Sequence, residues 1–185
     1  MTTIVGIQGP TWAVIGGDSR VVDGGKITDL PKNAGKIFRK SGYILAVAGD
    51  FRTAQIMQHS FAFPKPPTDA SVDALDKFFT TELIPMWKAE YEDVGYTPDK
   101  DIGNTILVSL SSTIYAIGDD WTWARDKRNI YAAGSGAAYA IGALSAYGVP
   151  KTADEAVAQI KAAIKIASQY DHNTSEPAII YSQES

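Results

Sequence analysis

A strand-like run, Thr3 to Gln8, begins at the third residue of the chain. Gly9-Pro10 breaks it and Trp12 to Ile15 resumes it, so the opening reads as a β-hairpin. A strand needs hydrogen-bonded neighbours, so this opening ties the first residues into a sheet and constrains what the rest of the chain can do. It also sets Asp18, just past the second strand, beside the start of the first. Met1 precedes a small residue, the usual condition for its removal. Removal would leave Thr2 with a hydroxyl and a free α-amine on one residue, the nucleophile and base of N-terminal threonine chemistry. A Met-Thr-Thr start alone carries little, and what gives it weight is the order of the remaining segments.

Val21 to Lys36 reads as short strands joined by turns, and Lys36 to Arg39 as a further short strand. Tyr43 to Ala48 is a continuous apolar run, the mark of a strand buried on both faces. Asp50 is placed to cap a helix from Phe51 to Ser60. Pro64-Lys65-Pro66-Pro67 is a surface connection. A longer helix from Ser71 to Tyr91 carries Leu75, Phe78, Phe79, Leu83, Met86 and Tyr91 as an apolar stripe, with Pro85 expected to kink or split it. Glu92 to Asp101 reads as a polar loop. Strands resume at Thr105–Leu110 and Thr113–Ile117, joined by Ser111-Ser112, followed by Trp121 to Ala124 and Ile130 to Ala133. Gly134-Ser135-Gly136 leads into an alanine-rich helix, Ala137 to Tyr147, which Gly148-Val149-Pro150 stops. Thr152 and Glu155 form a capping box for a last helix, and Ala178 to Ser182 is the closing strand. Strands, two helices, strands, two helices and a strand bury every apolar face if two sheets face each other, each covered by a helix pair. The expectation is an α+β fold, a four-layer αββα sandwich, as one domain over residues 1–185.

The composition removes several function classes. The chain has no cysteine, which excludes disulfides, thiolate metal sites and a cysteine nucleophile. A net charge of −4 gives no general attraction to nucleic acid or to an anionic membrane. No apolar run reaches the roughly 20 residues a bilayer-spanning helix needs. No basic start followed by an apolar run suggests secretion. The expected location is cytoplasmic, with no cofactor and no metal, and Asp119-Asp120 reads as a turn between strands.

The residues resemble a known family. Thr2-Thr3-Ile4-Val5-Gly6-Ile7, Gly17-Asp18-Ser19-Arg20, Lys32 to Phe38, Ala46-Val47-Ala48-Gly49-Asp50, Tyr131 to Ala140 and Tyr170 to Thr174 are similar, in order, to segments of the proteasome β-type subunits. In size the chain is most like their bacterial heat-shock-locus-V peptidase type. The resemblance implies an N-terminal nucleophile hydrolase that cuts peptide bonds. It implies Thr2 as nucleophile, its own amine as base, and Lys36 as the nearby cation, with Lys32 as runner-up. It implies Asp18 as the lysine's holder, Ser135 and Asp171 as groups orienting the amine, and Thr174 as a helper. The backbone N–H of Ala46, where the family usually has glycine, is the implied oxyanion donor. Val21, Ile44 and Ala48 are the implied substrate-pocket residues.

The same resemblance implies a homo-oligomeric ring or double ring acting on peptides or unfolded proteins. A separate ATP-dependent unfoldase would be needed for folded substrates, since the chain carries no nucleotide-binding motif. Two other functions fit the residues: a small-molecule amidase with the same nucleophile, and a non-catalytic ring scaffold.

Overall fold

The computed structural model describes residues 2–97 and 103–184. Met1 and the latter part of the expected loop Glu92–Asp101 lie outside the described residues. The opening hairpin is β1 (Ile4–Gln8) and β2 (Trp12–Gly17), with Ile4 opposite Gly17 and Gln8 opposite Ala13. A small hairpin follows, β3 (Arg20–Asp23) and β4 (Lys26–Asp29). A 3₁₀ turn (Lys32–Ala34) then leads into β5 (Ile37–Lys40) and the fully buried β6 (Tyr43–Ala48).

Asp50 caps α1 (Phe51–His59), accepting the Arg52 N–H at 2.9 Å. The long helix is split, as Pro85 requires. It runs as α2 (Val72–Phe78), one π turn (Phe79–Leu83) and α3 (Ile84–Asp93). Proline has no N–H for the carbonyl four residues back and its ring crowds that carbonyl, so the backbone widens. The Ile84 N–H reaches back five residues to the Phe79 carbonyl. The wider turn also shifts the phase of the apolar stripe. Trp87, not the expected Met86, is the fully buried residue after Leu83, while Met86 packs at the margin.

β7 (Thr105–Leu110) and β8 (Thr113–Gly118) meet at Ser111-Ser112, whose φ values of 47° and 62° make the primed turn that suits a two-residue hairpin. β9 (Trp123–Ala124) and β10 (Ile130–Ala133) precede α4 (Ala137–Tyr147). Asp120 accepts the N–H and hydroxyl of Thr122, at 2.9 and 2.6 Å, in a turn. Thr152 caps α5 (Ala153–Tyr170), and β11 (Ile179–Glu184) closes the described chain. The capping box is altered: the Glu155 carboxylate takes the Lys151 N–H at 2.7 Å.

These elements form the expected four layers. One sheet has the order β10-β1-β2-β11, the other β5-β6-β7-β8-β9. Aliphatic side chains such as Ile4, Ile15, Ile44, Ala46 and Leu107 fill the space between the sheets. The α1, α2 and α3 helices pack outside the five-stranded sheet, and α4 and α5 outside the four-stranded one. Among the described residues no helix is long and apolar enough to cross a membrane.

Candidate active site

The β1–β2 register determines the site. Pairing of Ile4 with Gly17 puts Thr3 against Asp18. The Thr3 N–H donates to Asp18 Oδ1 at 2.9 Å, and the Asp18 N–H donates to the Thr3 carbonyl at 3.0 Å. The Arg20 N–H donates to Asp18 Oδ2 at 2.8 Å. Lys36, one residue before β5, sends its Nζ to both carboxylate oxygens, at 3.0 and 3.1 Å. The pair is dry, with the lysine and aspartate side chains 3% and 0% exposed. Burial pulls the Lys36 ammonium below its ordinary value, against the field of Asp18. The same burial pushes the Asp18 carboxyl up, against the Lys36 charge and the two backbone donors.

Thr2 and Lys36 border one cavity of about 430 Å³, together with Val21, Val22, Asp23, Val47, Gly49, Asp50 and Phe51. Thr2 itself is buried. Behind it, the Gly134-Ser135-Gly136 turn comes in so closely that a Cβ on Gly134 would stand 1.9 Å from the Thr2 carbonyl oxygen. Gly134 also has φ +93°, a conformation side chains disfavour, so glycine is required there twice over.

Asp171 stands where α5 ends. Its Oδ2 accepts the Ser135 hydroxyl at 2.7 Å and the Thr174 hydroxyl at 2.6 Å. Its Oδ1 accepts the N–H and the side-chain amide of Asn173, each at 3.3 Å. Burial alone would raise this carboxyl, but these donors together hold it below the ordinary carboxylate value. Thr174 Oγ1 lies 2.5 Å from Thr3 Oγ1, which connects the Asp171 cluster to β1.

Thr2, Asp18, Lys36, Ser135, Asp171 and Thr174 are therefore gathered around the start of β1. Lys32 is not. It is exposed and borders a separate cavity with Ser19 and Lys161, its Nζ 5.7 Å from the centroid of the Tyr181 ring.

Three expectations on β6 are corrected. The Val47 N–H donates to the Lys36 carbonyl at 3.0 Å. Successive N–H groups of a strand point to opposite edges, so those of Ala46 and Ala48 point toward β7, opposite Leu107 and Thr105. Ala46 thus spends its N–H in the sheet. The side chains of Ile44, Ala46 and Ala48 all pack between the sheets, and none of the three borders the Thr2 cavity. Val21 does, and the other apolar walls are Val22, Val47 and Phe51. The Asp50 N–H again turns to the β7 side, onto Asn104 Oδ1 at 2.7 Å. Gly49 lies between, on the cavity side, where β5 no longer supplies a partner strand.

This architecture, two facing sheets each covered by helices with Thr2 leading into β1, is the proteasome β-subunit-like fold. No protein-family model and no curated protein matches the sequence. Among solved structures, the chain is similar to Thiobacillus denitrificans BPH in complex with epoxomicin, with TM-score 0.78, 20% identity, and 99% of this chain and 98% of that one covered. It is similar to eukaryotic HslV from Trypanosoma brucei, with TM-score 0.66, 18% identity and all of both chains covered. It is also similar to Anbu, the ancestral β-subunit from Yersinia bercovieri, with TM-score 0.71, 14% identity, and 99% of this chain and 82% of that one covered. At these identities the likeness is one of fold.

Proposed function

We propose that the chain is a threonine-type endopeptidase, a single peptidase domain working in the cytoplasm as a homo-oligomeric ring or double ring. Removal of Met1 frees the Thr2 amine. Thr2 Oγ attacks the peptide carbonyl carbon while that amine takes its proton. The same proton then passes to the leaving amine as the C–N bond breaks, and water releases the acyl group from Thr2 by the reverse exchange. The Lys36 ammonium, held by Asp18, lowers the amine's proton affinity toward the working range. Ser135 and Asp171 orient the amine. The oxyanion donor we assign to the Gly49 N–H in place of Ala46, since it borders the cavity beyond the end of β5. One such donor is worth on the order of 100–1,000-fold in rate.

The observation that carries this reading is the shared cavity of Thr2 and Lys36, with both Asp18 oxygens on the lysine. A peptide substrate is favoured over a small amide by the shape of the cavity. It runs between Val21, Val22 and Asp23 on β3, paired among the described residues only with β4, and Val47, Gly49 and Asp50 at the end of β6. The edge of β3, with Gly49 beyond the end of β6 across the cavity, suits an extended chain. Degradation of folded proteins would fall to an ATP-dependent unfoldase acting with the ring.

The test is direct. Intact mass should show Met1 removed, and a peptide epoxyketone, which reacts with hydroxyl and amine together, should label Thr2. BPH was solved with epoxomicin bound, which makes that compound the natural probe. Thr2→Ala should lower peptide cleavage by about 1,000-fold or more. Retained methionine in active protein, or undiminished cleavage by Thr2→Ala, would overturn the proposal.

A further inference from the structure

Thr3 takes no part in the chemistry above, yet it is hydrogen-bonded to both halves of the site. Its main chain holds Asp18 in both directions, N–H to Oδ1 at 2.9 Å and carbonyl from the Asp18 N–H at 3.0 Å. Its hydroxyl lies 2.5 Å from Thr174 Oγ1, and both residues are buried. We propose that Thr3 is a positioning residue for the Thr2 nucleophile, its hydroxyl donating to Thr174 Oγ1 and so fastening the start of β1 to the Asp171 cluster. The inference rests on the peptidase reading of Thr2.

Proton counting gives the direction of the bond. The Asp171 carboxyl is held below its ordinary value, so near neutral pH it is ionised and only accepts. The Thr174 hydroxyl has one proton, and it goes to Asp171 Oδ2 at 2.6 Å. The proton between the two threonines is therefore supplied by Thr3. The first turn of α4 closes over this contact: a Cβ on Gly136 would stand 2.0 Å from Thr3 Oγ1 and 2.9 Å from Thr174 Oγ1. Thr2 is joined by one peptide bond to a residue fixed at three points, two toward the Lys36–Asp18 pair and one toward Ser135 and Asp171. An error of about 1 Å in placing a reacting group costs on the order of 100-fold in rate, so this tether bears on kcat.

The experiment uses the assembled wild-type protein and a fluorogenic peptide, with Thr3→Val, Thr3→Ser and Thr174→Val. Thr3→Val keeps the shape and loses the donor. Its kcat should fall about 10- to 100-fold, with KM within about twofold of wild type. Thr3→Ser keeps the donor and should regain most of the loss. Thr174→Val removes the same contact from the other end together with the bond to Asp171, so its kcat should fall at least as far, and a wild-type kcat there overturns the inference if Thr3→Val does not fold. Wild-type kcat in Thr3→Val, a change in KM alone, or no recovery in Thr3→Ser would overturn the inference and leave the peptidase reading intact. A wild-type protein that neither cleaves nor takes the epoxyketone would remove the peptidase reading and this inference together.

Discussion

On one side of the sandwich, α1, α2 and α3 meet their sheet through rings. Phe61 and Tyr91 pack edge to face at 4.6 Å between centroids, Phe79 stacks on Tyr115 at 3.8 Å, and Trp87 lies fully buried near Tyr43 and Phe61. On the other side, α4 and α5 meet theirs largely through alanine: Ala140, Ala156, Ala163 and Ala167 are fully buried, with Ile160 and Ile164 between them. Large rings bury much apolar area and tolerate irregularity, here a π turn and a Trp87 Nε1 with no hydrogen-bond partner among the described residues. Alanine faces bury less but bring backbones close. That matters because β1, which Thr2 and Thr3 lead into, and α5, whose C-cap is Asp171, both belong to the alanine side. The ring side supplies stability and one cavity wall, and the alanine side supplies the geometry of the candidate site.

Lys36 sits at the seam, so changing it should produce the largest combined effect. Lys36→Met leaves Asp18 buried without its cation, and breaking a buried pair from one end costs about 3–5 kcal/mol. Denaturant unfolding should show that loss and peptide cleavage should disappear. Adding Asp18→Asn removes the orphaned charge, so the double variant should recover stability without recovering cleavage. Recovery of both would mean that the pair serves folding alone.

Trp87→Ala probes the ring side by itself. Truncation of a buried tryptophan costs about 3–5 kcal/mol, visible as a lower denaturant midpoint. Cleavage per folded molecule should hold at the wild-type level, because Trp87 lies across the five-stranded sheet from Thr2. A fall in kcat at temperatures where the variant is fully folded would break the proposed division of labour.

Most of the fold was legible because the periodicities were clean. The apolar run Tyr43–Ala48 is buried throughout, and the alanine stripe of α5 faces its sheet as written. Asp18 could be placed beside Thr2 because a hairpin with a short turn fixes its own register, whereas Lys36 came from the family resemblance of Lys32 to Phe38. The errors on β6 have one cause. Ile44, Ala46 and Ala48 were each placed three residues short of Val47, Gly49 and Phe51, the residues that border the cavity. Side chains alternate along a strand, so an odd offset reverses the face. The two-residue turn at Ser41-Gly42 pairs Lys40 with Tyr43 and so brings Val47, not Ala46, to Lys36. Thr3 was beyond register counting, since its partner Thr174 lies 171 residues away and the sequence holds no signal for that contact.

The smallest effect concerns Asp171, at the edge of the alanine side. Its folded-state pKa lies below the ordinary 3.8 because the hydroxyls of Thr174 and Ser135 and the donors of Asn173 outweigh its burial. A carboxyl lowered by folding adds stability that is present above the unfolded value and is lost as pH falls through the folded one. Asp171→Asn never has that contribution. The gap in unfolding midpoint between wild type and Asp171→Asn should therefore be constant near neutrality and close as the pH drops below about 4. A gap that persists unchanged into acid would mean that Asp171 acts through shape and not through charge. The tether from Thr3 through Thr174 would then end on a neutral acceptor, and the alanine side would fix the site by packing alone.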